Sequence, residues 1–245
     1  MTKKSSFLIP LKAGERRGWN VTIDGSPLTP GFVEIHHPSF GTLAYGKHPL
    51  DPTQPDGPGY DSWAFAENGG GGSVIVPFAI AREILYVGLL DQQRNLQGGR
   101  VLNVPRGFLE PGKTHFSTAN QEVEEEVGYA RGSVFELYGN PANPNSAFFD
   151  TRGAGEGVRF FGLRFTEADL RPAECGRFHL RPEAIRVTTE EARQRKLLEG
   201  IRDGVVFVSW RDAMAVSDMF TLAGVGRLLA VLSPSSHMTK YIPIP

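Results

Sequence analysis

The stretch Val104 to Tyr129, VPRGFLEPGKTHFSTANQEVEEEVGY, constrains this chain more than any other. It opens with a Pro105-Arg106-Gly107 turn and turns again at Glu110-Pro111-Gly112. Helix-compatible residues then run from Ser117 to Val127, and Gly128 stops them. Ser117 or Thr118 can cap the first turn, and glycine is the usual terminator at the far end. Glu122, Glu125 and Glu126 sit inside that helix. Offsets of zero, three and four place their carboxylates within an arc of roughly 100°, while Glu124 falls on the other side. Like charges gathered in this way repel, so the cluster costs stability unless a cation sits among them. Hard oxygen ligands on a rigid helix suit Mg2+ or Mn2+. A bare EVEEE run is more often a solvated face, so the surrounding pattern has to decide.

At 245 residues the chain can bury one large core or two modest ones. A net charge of -1 argues against non-specific binding to nucleic acid or to an anionic membrane. The single cysteine, Cys175, excludes an internal disulfide and fits a reducing, cytoplasmic compartment. The apolar run near the N-terminus is too short for a signal h-region, and no stretch approaches a membrane span. The expectation is a soluble, cytoplasmic protein.

Residues 1–68 read as short strands and loops. Phe32 to His36, Thr42 to Tyr45 and Tyr60 to Phe65 are the strand candidates. His36 and His37 are adjacent, and neighbouring strand residues point to opposite faces, so they are read as structural rather than as a chelating pair. Gly69 to Gly72 lacks the Lys-Ser/Thr and following helix of a phosphate-binding loop, and a joint between domains is the better reading. From Ser73 the composition changes. Val74 to Phe78 and Glu83 to Leu90 are strong strands with a tight connection; Gln92, Gln93 and Arg94 follow, then a loop and Leu102 to Pro105. Val134 to Tyr138, Val158 to Phe165 and Val205 to Trp210 are further strands. Met219 to Leu232 is a core-packing helix. Thr188 and Glu191 have capping-box spacing ahead of a helix to Arg202, whose alternating charges suit a solvated surface. The fold class expected is α/β or α+β: a mixed sheet packed between helices in residues 69–245, preceded by a small β-rich domain over residues 1–68.

Read as a whole, Val104 to Tyr129 resembles the Nudix box, in which glycine, glutamate and hydrophobic positions recur at fixed spacing. Gly107, Glu122, Val123, Glu125, Glu126 and Gly128 are in register with it. Lys113 stands where the family has Glu, Gln121 where it has Arg, and Tyr129 departs mildly from an aliphatic. Several flanking segments resemble the ADP-ribose and nucleoside-diphosphate-sugar pyrophosphatase branch. They are the Gln-x-Arg segment ending at Arg94, the Val104 to Gly107 entry, Pro144, the loop glutamate Glu156, and the Asp218-x-x-Thr221 start of the last helix.

The resemblance implies metal-dependent hydrolysis of a nucleoside diphosphate linked to another moiety, ADP-ribose or a sugar nucleotide foremost. It implies Mg2+ or Mn2+ held by Glu122, Glu125, Glu126 and the Arg106 carbonyl. Glu125 and Glu156 are the catalytic candidates, and Glu156 could either take a proton from water or bind a second ion. Arg94 and Gly107 are the substrate-binding candidates, since a guanidinium suits phosphate geometry. The aromatics Phe32, Tyr45, Trp63 and Phe65 could stack on a base or simply be core. An N-terminal domain of this kind implies a homodimer. In the family the Glu and Arg at the two altered positions brace the loop against the helix. Here Lys113 could pair instead with Glu110 or with a helix carboxylate. The alternative is a Nudix-fold nucleotide-binding or regulatory protein with weakened catalysis.

Overall fold

The computed structural model of the chain describes residues 22–23, 26–27, 33–37, 41–49, 59–67, 71–94, 99–110, 112–129, 133–142, 157–185, 190, 194 and 200–233. The chain divides into two compact units, Met1–Gly71 with Ala142–Val158, and Gly72–Pro141 with Arg159–Pro245.

In the first unit, β1 (Thr22–Ile23) pairs with β2 (Ser26–Pro27). Strands β3 (Val33–His37), β4 (Gly41–Pro49) and β5 (Gly59–Glu67) form an antiparallel sheet in the order β3-β4-β5. All three strand candidates before the glycine run are therefore strands. His36 lies opposite Thr42 and His37 opposite Gly41, consecutive positions on one pleated strand.

The second unit is built on β6 (Gly71–Ala81) and β7 (Ile84–Arg94), an antiparallel hairpin. Its tight turn is Arg82-Glu83, with φ of 49° and 65°. Two left-handed residues in succession give the turn whose twist matches that of the flanking strands. From Gly71 to Ala79 every residue of β6 is buried, as expected of a strand covered on both faces. The remaining strands are β8 (Gly99–Asn103), β9 (Arg106–Phe108), β10 (Phe135–Glu136), β11 (Gly157–Phe165), β12 (Leu170–Pro172), β13 (Phe178–Leu180) and β14 (Ile201–Ser209). They complete a nine-stranded sheet of order β10-β11-β6-β7-β14-β13-β12, with β8 paired to β7 and β9 to β6.

Helices cover both faces. Helix α1 (His115–Glu122) and a following π-helical turn, Val123–Val127, place Ala119, Val123 and Val127 on a core that includes Ile75, Leu90, Phe161, Leu163 and Phe207. A short helix α2 (Trp210–Ala213) leads to α3 (Met219–Leu232). Helix α3 buries Val225, Leu228 and Val231, each contributing about 1.5–3 kcal/mol by leaving water. Its Gly224 allows close approach, because a Cβ there would lie 2.7 Å from the Val76 side chain. Val76 and Ile75 are neighbours in β6, so α3 and α1 lie on opposite faces of the sheet. The expected α+β architecture, a sheet between helices, is what the chain forms.

Several local expectations are corrected. The strand expected to end at Leu90 runs on to Arg94, because β7 gains partners on both edges there, β8 on one side and Ile201 of β14 on the other. The strand expected over Val134 to Tyr138 shortens to Phe135–Glu136, paired with Phe161 and Gly162. β14 begins at Ile201, ahead of the expected Val205, and ends at Ser209, whose hydroxyl caps α2 by accepting from the Asp212 N–H at 3.2 Å. The charged segment after Arg171 contributes an antiparallel pair, β12 and β13, that its composition did not announce. Thr188 and Glu191 lie outside the described residues. Among the described residues no helix is long and apolar enough to cross a membrane.

Candidate active site

Helix α1 starts at His115, two residues earlier than its sequence suggests. The cap is Thr114, not Ser117 or Thr118. Thr114 Oγ1 accepts from the Ser117 N–H at 3.1 Å, and Ser117 Oγ accepts from the Thr114 N–H at 3.0 Å. This is a capping box in which serine replaces the usual glutamate, which is why the spacing hides it. The next residue, His115, is buried and pins the helix start to β6. Its Nδ1 lies 2.9 Å from the Gly72 carbonyl, and its own carbonyl accepts from Ser73 Oγ at 2.8 Å. The helix end also differs. The Gly128 N–H reaches the Val123 carbonyl at 2.9 Å, a π-type bond, and Gly128 then terminates the helix at φ 77°.

The three cluster carboxylates reach three different places. Glu122 lies against Gly107: a Cβ on that glycine would stand 1.9 Å from Glu122 Oε1. Only a residue without a side chain permits this approach between loop and helix. Glu126 is 3% exposed, and its Oε2 accepts from the Arg106 N–H at 2.8 Å. Glu125 Oε1 accepts from Gln121 Nε2 at 2.9 Å. Gln121 Oε1 in turn accepts from Lys113 Nζ at 2.7 Å, and the same ammonium pairs with Glu110 Oε2 at 2.6 Å. The two residues that depart from the family pattern thus touch each other. Lys113 bridges the loop carboxylate and the helix amide, and the amide passes a hydrogen bond on to Glu125. The Lys113 and Glu110 side chains are more than a third exposed, so the pair positions the loop more than it stabilises the fold.

A second network holds the loop from α3. Asp218 caps that helix, its Oδ2 accepting from the Thr221 N–H at 2.9 Å and from Thr221 Oγ1 at 2.8 Å. Thr221 Oγ1 accepts from the Val104 N–H at 3.0 Å. Asp218 Oδ1 pairs with Arg106 Nη1 at 2.7 Å, and the Arg106 guanidinium lies 5.0 Å from the centre of the Phe220 ring. Arg106 is therefore fixed at both ends, by a helix carboxylate at its backbone and by a cap carboxylate at its side chain. The Asp218-x-x-Thr221 spacing was visible in sequence, but its link to Arg106 across 112 positions was not.

Arg94 ends β7, half-buried, beside β8. Residue alternation puts it on the same face as Gln92 and, through the Leu90–Asn103 pairing, Asn103. Gln92 and Asn103 are buried polar residues that composition and spacing gave no reason to single out. Asn103 is 1% exposed, with neither amide atom hydrogen-bonded. Glu156, Pro144 and Phe32 lie outside the described residues, and Tyr45, Trp63 and Phe65 are described only as strand positions. Among the described residues no three His, Cys, Asp or Glu side chains gather as a ready-made cation cage. The donor chemistry of Glu122, Glu125 and Glu126 nevertheless suits a hard divalent cation. Tyr129, the last departure from the pattern, packs on Phe165 with ring centres 4.6 Å apart.

No family model and no curated protein matches the chain. Among solved structures it is similar to an ADP compounds hydrolase at 11% identity and a TM-score of 0.44, covering 80% of this chain and 89% of that one. It is similar to the Nudix domain of Shewanella oneidensis NrtR complexed with ADP ribose, at 13% identity and a TM-score of 0.41, covering 66% and 87%. A mutT/nudix family protein from Listeria innocua gives 16% identity and a TM-score of 0.41, covering 66% and 92%. Likenesses this distant leave the functional reading to the site itself.

Proposed function

We propose that this chain is a Nudix-type pyrophosphohydrolase. It cleaves the diphosphate that joins a nucleoside to a second moiety, with ADP-ribose and sugar nucleotides as the leading substrates. The observation that carries the reading is the rebuilt brace, in which Lys113, Gln121 and Glu125 form one chain from loop to helix. A decayed site would keep no reason to hold an acidic helix turn against a glycine-tipped loop. Here the loop is gripped from both sides, by Glu126 on the Arg106 N–H and by Asp218 on its guanidinium.

Glu122, Glu125, Glu126 and the Arg106 carbonyl would hold a divalent cation. Bound there, such an ion supplies charge neutralisation at the diphosphate oxygens and acidifies the attacking water. The chain's own residues do the positioning. Gln121 orients the Glu125 carboxylate, and Gly107 leaves room for that of Glu122. Arg94 offers a planar fork of donors to the phosphates. Glu156 is the candidate for accepting the proton of the water.

The alternative is a nucleotide-binding regulatory protein with weakened catalysis. It is favoured by the internal hydrogen bonds on Glu125 and Glu126, which engage two of the candidate ligand oxygens. One experiment separates the two readings. The full-length protein is incubated with ADP-ribose, sugar nucleotides and dinucleotides, with Mg2+ or Mn2+, and the products are resolved. Turnover to two phosphomonoesters, abolished by chelation, supports the hydrolase. Saturable binding without products supports the regulatory protein.

A further inference from the structure

A second gathering of charge lies on the sheet face opposite α1. Leu90 belongs to the core under α1, so its neighbour Asp91 points the other way. Asp91 is paired with Leu102 of β8 and Arg202 of β14, and His179 is paired with Arg171 of β12 and Val206 of β14. Register therefore brings these six residues to one face. A cavity of about 430 Å³ opens among them, with Glu174 and Arg177 from the β12–β13 connection in its wall. None of the described box residues lines it.

The charges in that wall do not balance. Asp91 is taken by Arg100, whose Nε lies 2.8 Å from its Oδ1. Arg106 and Arg159 likewise have carboxylate partners. Among the described residues, Arg171, Arg177 and Arg202 have none. Among the described lining residues, three guanidiniums against one remaining carboxylate, Glu174, leave two positive charges converging on one cavity. Such convergence costs Coulomb energy that an anion offsets.

We propose that this cavity binds a phosphomonoester dianion, the group carried by a nucleoside monophosphate or a sugar phosphate, at a site separate from the box. A phosphomonoester carries about -1.5 to -2 charges near neutral pH and three strong acceptor oxygens, which answers the surplus of two charges better than a single carboxylate does. The cavity falls in the range of small-molecule sites, about 300–1,000 Å³, and is larger than a phosphate alone needs. Leu102, Pro172 and Val206 give the organic remainder an apolar surface.

The chain carries its own reporter. Cys175, its single cysteine, is exposed and lines the cavity. Its alkylation by neutral iodoacetamide is followed on the full-length protein without divalent ions, so occupancy is measured independently of turnover. AMP, ribose 5-phosphate, inorganic phosphate, adenosine and sodium chloride at matched ionic strength are the additions. The expected result is that AMP or ribose 5-phosphate slows alkylation about tenfold at millimolar concentration, while adenosine and salt do not. The Arg171→Gln/Arg202→Gln double variant raises the half-protecting concentration at least about tenfold, and Glu125→Gln leaves it unchanged. Arg177→Gln, in the connection rather than in a strand, is the second variant should the double one fold poorly. Protection by inorganic phosphate as strong as that by AMP supports the anion site and identifies the free ion as sufficient. Absence of protection at about 10 mM overturns the proposal, as does equal protection by salt. Protection that survives the arginine variants, or that disappears in Glu125→Gln, also overturns it.

Discussion

Placing a methyl group on Gly107 tests the candidate site at its tightest point. The backbone of Gly107 is not left-handed, so alanine can adopt it without strain. The nearest atoms to the new Cβ all belong to one flexible side chain: Glu122 Oε1 at 1.9 Å, Cδ at 2.4 Å and Cγ at 2.9 Å. Ordinary contact begins at 3.4 Å, so the carboxylate must withdraw by about 1.5 Å. A misplacement of about 1 Å in a catalytic constellation can cost about a hundredfold in rate. Gly107→Ala should therefore lower kcat on the substrate found in the panel by about a hundredfold or more, and weaken Mn2+ binding in calorimetry. Stability should barely respond, since replacing glycine by alanine at a compatible position contributes about 0.4–1 kcal/mol through the unfolded chain and offsets the cost of moving one carboxylate. For a chain of this size that holds the melting temperature within about 2–4 °C of wild type. A variant with wild-type turnover and unchanged Mn2+ affinity would refute the assignment of Glu122 to the reaction. A collapse in melting temperature would refute the claim that only its side chain has to move.

Other expectations follow the same geometry. Glu126→Gln keeps volume and an acceptor for the Arg106 N–H but removes charge, so turnover should fall by orders of magnitude with an unchanged melting curve; near-wild-type rates at limiting Mg2+ would exclude Glu126 as a ligand. Restoring the family pair with Lys113→Glu and Gln121→Arg should leave activity equal or lower, because it dismantles the Lys113–Gln121–Glu125 chain, and stability should move by only about 0–1 kcal/mol; a large gain from an inert wild type would favour the regulatory reading. If Glu156 is the base, Glu156→Gln should lower kcat more than it raises KM, and a change in KM alone would make it a binding residue. Removing residues 1–68 should convert a dimer into a monomer with weaker nucleotide affinity, and light scattering that finds the full-length chain monomeric at micromolar concentration would count against this.

Much of the fold was legible because its signals are local. Alternating and continuous apolar runs marked β6, β7 and β11, and the apolar run from Met219 to Leu232 marked α3 with the same bounds as the structure. The glycine and glutamate pattern of Val104 to Tyr129 was legible because residues at fixed spacing leave a mark in sequence whatever surrounds them. The helix cap was missed by three residues, since Thr114 and Ser117 use a serine where the usual pattern has an acid. The π turn at Val123–Val127 has no signature in the local sequence that we can identify.

What the sequence by itself determined, then, is which residues meet along a strand or a helix turn: the three glutamates on one segment, the glycine before them, the cap of the last helix. Tertiary structure alone decided which distant groups those residues hold. Arg106 and Asp218 form an ion pair across 112 positions, and Thr221 receives the Val104 N–H from 117 positions away. Lys113 had two possible partners in sequence, and the folded loop gave it Glu110 together with Gln121. The arginine cavity is the clearest case. Arg171, Arg177 and Arg202 are scattered in a segment whose composition looks like solvated surface; strand register places Arg171 and Arg202 on one face, and the β12–β13 connection brings Arg177 to the same opening. Periodicity depends on near neighbours and can be read from one chain in order, whereas pairing between strands is settled by the global packing of the sheet.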